Sequence, residues 1–194
     1  MAWNADLAHS NLEFAVRHML VSTVKGRFGT FAIDAQIDDQ DLTHSRGTVT
    51  VAIGSVDTRE PQRDAHLRSP DFFDAERFPN MTFVVTSVER GGPDGWRITG
   101  DLTIRDITRT ITLDAEIAGP LKDPFGAERI GLSAHTKLDR KDFGLNWNVV
   151  AEAGGLLVGD EVKVTVEAEF VKVPAEVSTD SEAVASPESA SVSA

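Results

Sequence analysis

Apolar residues recur at every second position through most of this chain, in runs bounded by Gly, Pro, Asp or Asn. That period of two marks half-buried β-strands. Leu12, Phe14, Val16 and His18 share one face of the first run, with Glu13, Ala15 and Arg17 opposite. Further runs follow at 24–37 and 47–53. Met81, Phe83 and Val85 then alternate with Thr82, Val84 and Thr86, and Trp96, Ile98, Gly100, Leu102 and Ile104 form the next face. Ile111, Leu113, Ala115 and Ile117 point inward within 108–118. Ile130, Leu132, Ala134, Thr136 and Leu138 come next, and Val162, Val164, Val166, Ala168 and Phe170 close the series. Short turns between about eight such runs imply antiparallel neighbours. Several strands of about ten residues, longer than the usual five or six, predict an all-β, eight-stranded antiparallel up-and-down barrel.

Two features qualify that picture. The apolar phase shifts between Phe28 and Phe31, with Gly29 between them, which predicts a bulge or sharp bend in a long strand. Gly26, Ala32, Gly47, Gly100, Ala115, Ala134 and Ala168 place small residues on the inward face. Either they permit bending and tight packing, or they leave room for a small apolar ligand. The pattern alone leaves both open.

The alternation breaks at Arg63-Asp64-Ala65-His66-Leu67-Arg68-Ser69-Pro70-Asp71-Phe72-Phe73-Asp74, which runs on to Phe78-Pro79-Asn80. Pro61 and Pro70 stand where short helices can start, because Pro at a first helical position loses only an unpaired amide. A short helical insertion between the third and fourth strands is expected, of one or two helices. Arg63 and Arg68 bring fixed charge, His66 a hydrogen-bond donor, and Phe72, Phe73 and Phe78 apolar area. A polar lid beside an oily interior suits an amphiphile with a hydrocarbon tail and a polar or phosphorylated head. Arg63, Asp64 and Asp71 can equally form a structural ion-pair and capping network, the favoured role for both aspartates. Phe72 and Phe73 are expected to divide their roles, one ring in the protein and one at a cavity wall. The loop 139–148 is too long for a plain turn; Trp147 either covers an opening or anchors that loop.

At 194 residues the chain holds one domain, expected over 1–173, followed by an acidic, Ser-rich tail at 174–194 too poor in apolar residues to order. The formal charge is −12, and setting aside Glu176, Asp180, Glu182 and Glu188 of the tail leaves −8. Such a balance argues against nucleic acid and anionic membranes as partners. The chain has no Cys, so disulfides and thiolate chemistry are excluded. It begins without a basic patch followed by an apolar run and has no span-length apolar stretch, so cytoplasmic location without stable membrane insertion is the expectation.

Catalytic and metal chemistry find little support. No two of His9, His18, His66 and His135 stand at a strong ligand spacing, so no metal site is expected. His9 and Ser10 are adjacent on a strand and face opposite ways, which disfavours a dyad. Ser10 is expected to bond to backbone near the start of the first strand.

The motifs carry a resemblance. Ala8-His9-Ser10 with Phe14 and His18, Gly26-Arg27-Phe28, the Arg63–Leu67 and Ser69–Asp74 runs, Phe78–Phe83, Gly100–Ile104, Arg140–Gly144 and Val158–Val162 occur in order over roughly residues 3 to 173. In this the chain resembles the YceI-like family. The resemblance implies a lipocalin-like barrel that binds polyisoprenoid lipids inside, and a homodimer. Arg105-Asp106 stands where the family usually carries a His-Gly or similar pair, and many relatives have a secretory signal. From residues and resemblance together, Phe14, His18, Phe28, Arg63, His66, Leu67, Phe72, Phe73, Phe83, Leu102 and Trp147 are the expected ligand-binding residues. The expected ligand is an isoprenoid quinone or polyprenyl phosphate, with no other cofactor required and no catalytic residue. The alternatives are an enzyme on a lipophilic substrate with His66 and Asp64 as an acid–base pair, and a stress-related structural domain with a packed interior.

Overall fold

The computed structural model describes residues 2–19, 21–92, 95–150 and 157–173. The tail therefore lies outside the described residues. Among the described residues eleven strands form one antiparallel sheet. They are β1 (Ala2–Ala5), β2 (Asn11–His18), β3 (Ser22–Phe28), β4 (Phe31–Gln36), β5 (Arg46–Ala52) and β6 (Val56–Asp57), then β7 (Asn80–Arg90), β8 (Trp96–Ile104), β9 (Ile107–Lys122), β10 (Glu128–Asp139) and β11 (Val158–Val173). One helix, α1 (Pro61–Arg68), lies in the insertion between β6 and β7.

The hydrogen-bonded order is β4-β5-β7-β8-β9-β10-β11-β2-β3-β6, with β1 on β11. The sheet is strongly curled, a half-barrel whose path begins at β4 and ends at β6, with β3 on β6 and β4 on β5. Its two ends meet where the chain passes from β3 to β4. The phase shift at Gly29 is the reason: Gly29 N–H donates to Ser55 O at 3.1 Å and Ala52 N–H to Thr30 O at 3.0 Å, so both partner runs break together. What reads as one strand at 24–37 is thus two, and 46–57 likewise divides into β5 and β6 around a helical turn at Ile53–Ser55. β1 is the further strand, too short to show a period. Beyond the corner Phe31, Ile33 and Ala35 turn inward, so Ala32 faces out, contrary to its expected position.

The core is distributed around the sheet. Trp3, Ile130, Ala168 and Phe170 pack at one end, and Val88, Trp96, Ile98, Leu113, Ala115 and Ala134 beside them. Phe28, Val51, Ile53 and Val56 form a third cluster, and Leu102, Ile104, Phe143 and Leu145 a fourth. Four rim clusters leave the middle of the curl to a cavity. Two glycines let aromatic rings lie flat on the wall. A Cβ on Gly100 would fall 2.6 Å from the Phe83 ring, and one on Gly26 would collide with the ring of Phe14.

Charge ties the end remote from α1. Arg129 donates from Nε to Asp123 at 2.8 Å, from Nη1 to Asp6 at 3.1 Å, and also to Glu169. The carboxyl of Asp6 is held below its ordinary value by His9 and then Arg129, and that of Asp123 by Arg129. Depressed carboxyls add stability that is complete above the ordinary value of 3.8 and is lost as pH falls through the lower folded values. Arg129→Met is accordingly expected to lower the melting temperature at neutral pH and to shrink the further drop on acidification to about pH 3. Parallel acid limbs in variant and parent would refute this origin.

Candidate functional site

Glu60 and Pro61 set α1. Pro61 occupies the first helical turn as its ring geometry favours, and the Glu60 carboxylate accepts from Gln62 N–H at 3.2 Å and Arg63 N–H at 2.6 Å. The cap is therefore Glu60, not Asp64. No second helix follows Pro70; residues 70–77 run through turns, with Phe73 N–H bonded to Leu67 O and Asp74 N–H to Ser69 O. Leu67 fixes the helix to the sheet by packing against the Phe28 and Val56 cluster.

Asp64 is buried and accepts from Thr58 N–H at 2.9 Å and Thr58 Oγ1 at 2.5 Å. Arg63 donates to the same threonine, from Nε to Oγ1 and from Nη2 to the carbonyl, each at 2.8 Å. Burying Thr58 and Asp64 together is tolerable because their polar atoms satisfy one another. Arg63 and Asp64 thus meet through Thr58 rather than as the ion pair and cap expected of them, and Asp64 is left unable to serve His66. The partner of His66 is Asp71, with Nε2 3.0 Å from Oδ2. The acid–base pair of the enzymatic alternative is therefore not assembled. Ser69 Oγ donates to His66 O at 2.8 Å and Ser10 Oγ to Asp6 O at 2.8 Å, so both serines serve backbone.

Inside the curl lies a cavity of about 700 Å³, within the range of about 300–1,000 Å³ usual for small-molecule sites. The interior is hollow rather than packed. All eleven residues named from the sequence line it: Phe14, His18, Phe28, Arg63, His66 and Leu67, together with Phe72, Phe73, Phe83, Leu102 and Trp147. Phe78 does not; it lies beneath the guanidiniums of Arg77 and Arg105. His135 is exposed on the outer face, as its strand position implied.

The cavity is graded. Its middle is aliphatic and aromatic, lined by Val164, Leu113 and Val49 and by the linked rings of Phe14, Phe28 and Phe73, whose centroids stand 5.5 and 6.0 Å apart. At the α1 end Gln62, Arg63, His66 and His18 supply polar atoms. There the His66 ring meets Trp147 edge-on at 4.5 Å and Phe72 at 5.1 Å. Trp147 thus both borders the opening and anchors its loop against the insertion. Phe72 is buried, at 6% exposure, and Phe73 half-buried, yet both reach the cavity, so the expected division between them is not clean.

Arg140 is the residue that sequence reasoning passed over. Its side chain is 4% exposed and gathers the rim: Nη1 donates to Leu145 O and to Trp147 O at 3.0 Å, Nε to Gly159 O at 3.0 Å, and Nη2 to Asp160 at 3.2 Å. Its sequence signals were the length of the 139–148 loop and the Arg140–Gly144 motif of the resemblance, neither of which says what the side chain does, since an arginine among Asp and Lys reads as solvated. Phe143, 2% exposed, and Gly144, at φ 72°, close the turn beneath it.

For metal, the described residues bring Asp6, His9 and Glu169 within 4.8 Å of one another, but Arg129 bonds both carboxylates and stands where a cation would.

The fold is thus a curled antiparallel sheet around an apolar cavity with polar side chains at one end. The chain belongs to the YceI-like family, whose domain matches residues 3–170. It is 38% identical to a UPF0312 protein of Staphylococcus aureus over 166 residues, 85% of this chain and 94% of that one. Among solved structures it is similar to a Campylobacter jejuni YceI protein, at 32% identity and TM-score 0.71 over 81% of this chain and 90% of the other. A polyisoprenoid binding domain from Saccharophagus degradans shares the fold, with TM-score 0.63 at 16% identity over 88% and 98% of the two chains.

Proposed function

We propose that this protein binds an isoprenoid lipid, a quinone or a polyprenyl phosphate, in the cavity and sequesters or carries it. The observation that carries this reading is the graded cavity of about 700 Å³. Its apolar middle matches a prenyl tail, and Arg63, His66 and His18 offer donors to a head group at the α1 end. Each methylene taken from water contributes about 0.8 kcal/mol, so the tail dominates affinity and the head sets orientation. The Saccharophagus degradans domain, described as polyisoprenoid binding, shares the fold and lends support. The homodimer implied by the resemblance belongs to the same proposal and is checked by sedimentation.

Organic extracts of the purified protein are expected to yield a prenyl lipid by mass spectrometry, and stripped protein to take up added prenyl quinone. Repeated extracts without prenyl lipid, together with no uptake, would remove the reading.

A further inference from the structure

Three segments meet around the α1 end of the cavity. Met19 N–H in the β2–β3 turn donates to Leu157 O at 2.9 Å, and Leu157 N–H donates to Val149 O at 2.9 Å. His18 pairs with Val158 at the start of β11. These bonds make one ribbon of backbone along the opening. Its inner side gives His18, Trp147 and Leu157 to the cavity wall. Its outer side carries Met19, Val21, Val149 and Val150 at 47%, 83%, 48% and 71% exposure.

Single exposed apolar residues are ordinary on protein surfaces. Four on one ribbon, continuous with an apolar cavity, are not scattered singles. Residues 18–21 and 147–150 contain no Asp, Glu, Lys or Arg, in a chain that is 26% charged. The opposite end differs. Asn11, Glu13, Ser45 and Arg46 line the cavity toward it, beside Asp38, Asp39 and Asp41. Leu121 and Phe125 are exposed there too, at 65% and 95%, but on a hairpin with Lys122, Asp123 and Glu128. The twelve residues of β10 separate that hairpin from the rim, roughly 40 Å at strand rise.

We propose that the apolar patch of Met19, Val21, Val149 and Val150 docks reversibly on a zwitterionic lipid surface, bringing the mouth against the bilayer. This rests on the lipid-cargo reading of the cavity. A prenyl chain passing through water exposes every methylene; a mouth seated in the headgroup layer removes that barrier. The four apolar side chains offer no charge for an acidic or basic protein partner to pair with, and a net −12 disfavours an anionic surface. Shallow insertion of a few aliphatic side chains gives weak, salt-insensitive binding, which suits a carrier that must leave again.

Flotation with phosphatidylcholine vesicles tests the docking, and tryptophan quenching by a short-chain, water-soluble prenyl quinone tests the cargo separately. The full chain is expected to float equally at low and high salt. Val21→Asp/Val150→Asp should lower the floated fraction by about tenfold or more, with the melting temperature and quinone affinity unchanged. Leu121→Asp/Phe125→Asp, at the far hairpin, should float like the parent. Parent protein that binds quinone but does not float overturns the docking and leaves the cargo reading standing. Parent protein that floats through the rim but binds no quinone upholds docking and overturns the cargo. Loss of flotation in the hairpin variant alone moves the contact elsewhere and refutes the rim. So does a rim variant that loses dimerisation while floating normally, since the patch is then a subunit interface.

Discussion

Arg140→Met is expected to reduce the free energy of unfolding by about 3–5 kcal/mol, the range for removing one partner from a buried charged network. Methionine preserves much of the stem volume and none of the donors. The carbonyls of Leu145, Trp147 and Gly159 lose the guanidinium that bridges them, and Asp160 keeps only the bond from Lys141 at 2.8 Å. An unpaired buried carbonyl costs about 1–3 kcal/mol, and three such groups exceed any gain from the apolar side chain. The damage is directional as well. Arg140 joins the loop that carries Trp147 to the first residues of β11, so the rim should loosen before the sheet does. Urea denaturation gives the magnitude, and the near-ultraviolet circular dichroism of the folded variant should show an altered tryptophan environment. Arg140→Lys retains the charge but not the planar fork, and should recover less than half of the loss. A destabilisation under about 1 kcal/mol would mean that water satisfies those carbonyls and that Arg140 is not the anchor.

The second large effect concerns the cavity. Val164 stands midway along β11, opposite Phe14 in the β2 register, and faces the hollow. Val164→Trp places an indole where the middle of a prenyl tail would lie. Displacing about four methylenes, at about 0.8 kcal/mol each, forfeits about 3 kcal/mol, or more than about 100-fold in affinity. Stability should hold or rise, because an empty apolar hollow is being filled rather than a packed core overfilled. Titration with a long-chain quinone in detergent reads the affinity, and thermal melting reads the fold. Undiminished binding by a folded variant would show that the ligand sits elsewhere, and the carrier hypothesis would fall with it.

The candidate site was legible to unequal degrees. Alternation identified the inward side chains because the side-chain period of a strand is fixed at two whatever the neighbours do. Phe14, Phe83 and Leu102 were accessible to that logic. Arg63, His66 and Phe72 were accessible because a charged and aromatic insertion has no reason to interrupt a strand pattern otherwise. The pairings were not. Asp64 and Asp71 lie two residues before and five after His66, yet only Asp71 reaches it; Asp64 is drawn to Thr58 by the turn into α1. Arg140 reads as a surface residue until β11 lies alongside it.

By itself the sequence determined an all-β chain, the inward face of nearly every strand, the break at Gly29 and a short helical insertion with Pro61 among its candidate starts. Those features rest on local geometry: the strand period, the freedom of Gly and the fixed φ of Pro. Tertiary structure alone decided how far the sheet curls, that four clusters line its margin and leave a hollow, and which acid each His and Arg meets. These depend on contacts between residues far apart in the chain, such as Arg129 with Asp6 and Arg140 with Asp160. Their distances are set by how far the whole sheet bends, a quantity that no short window of residues contains.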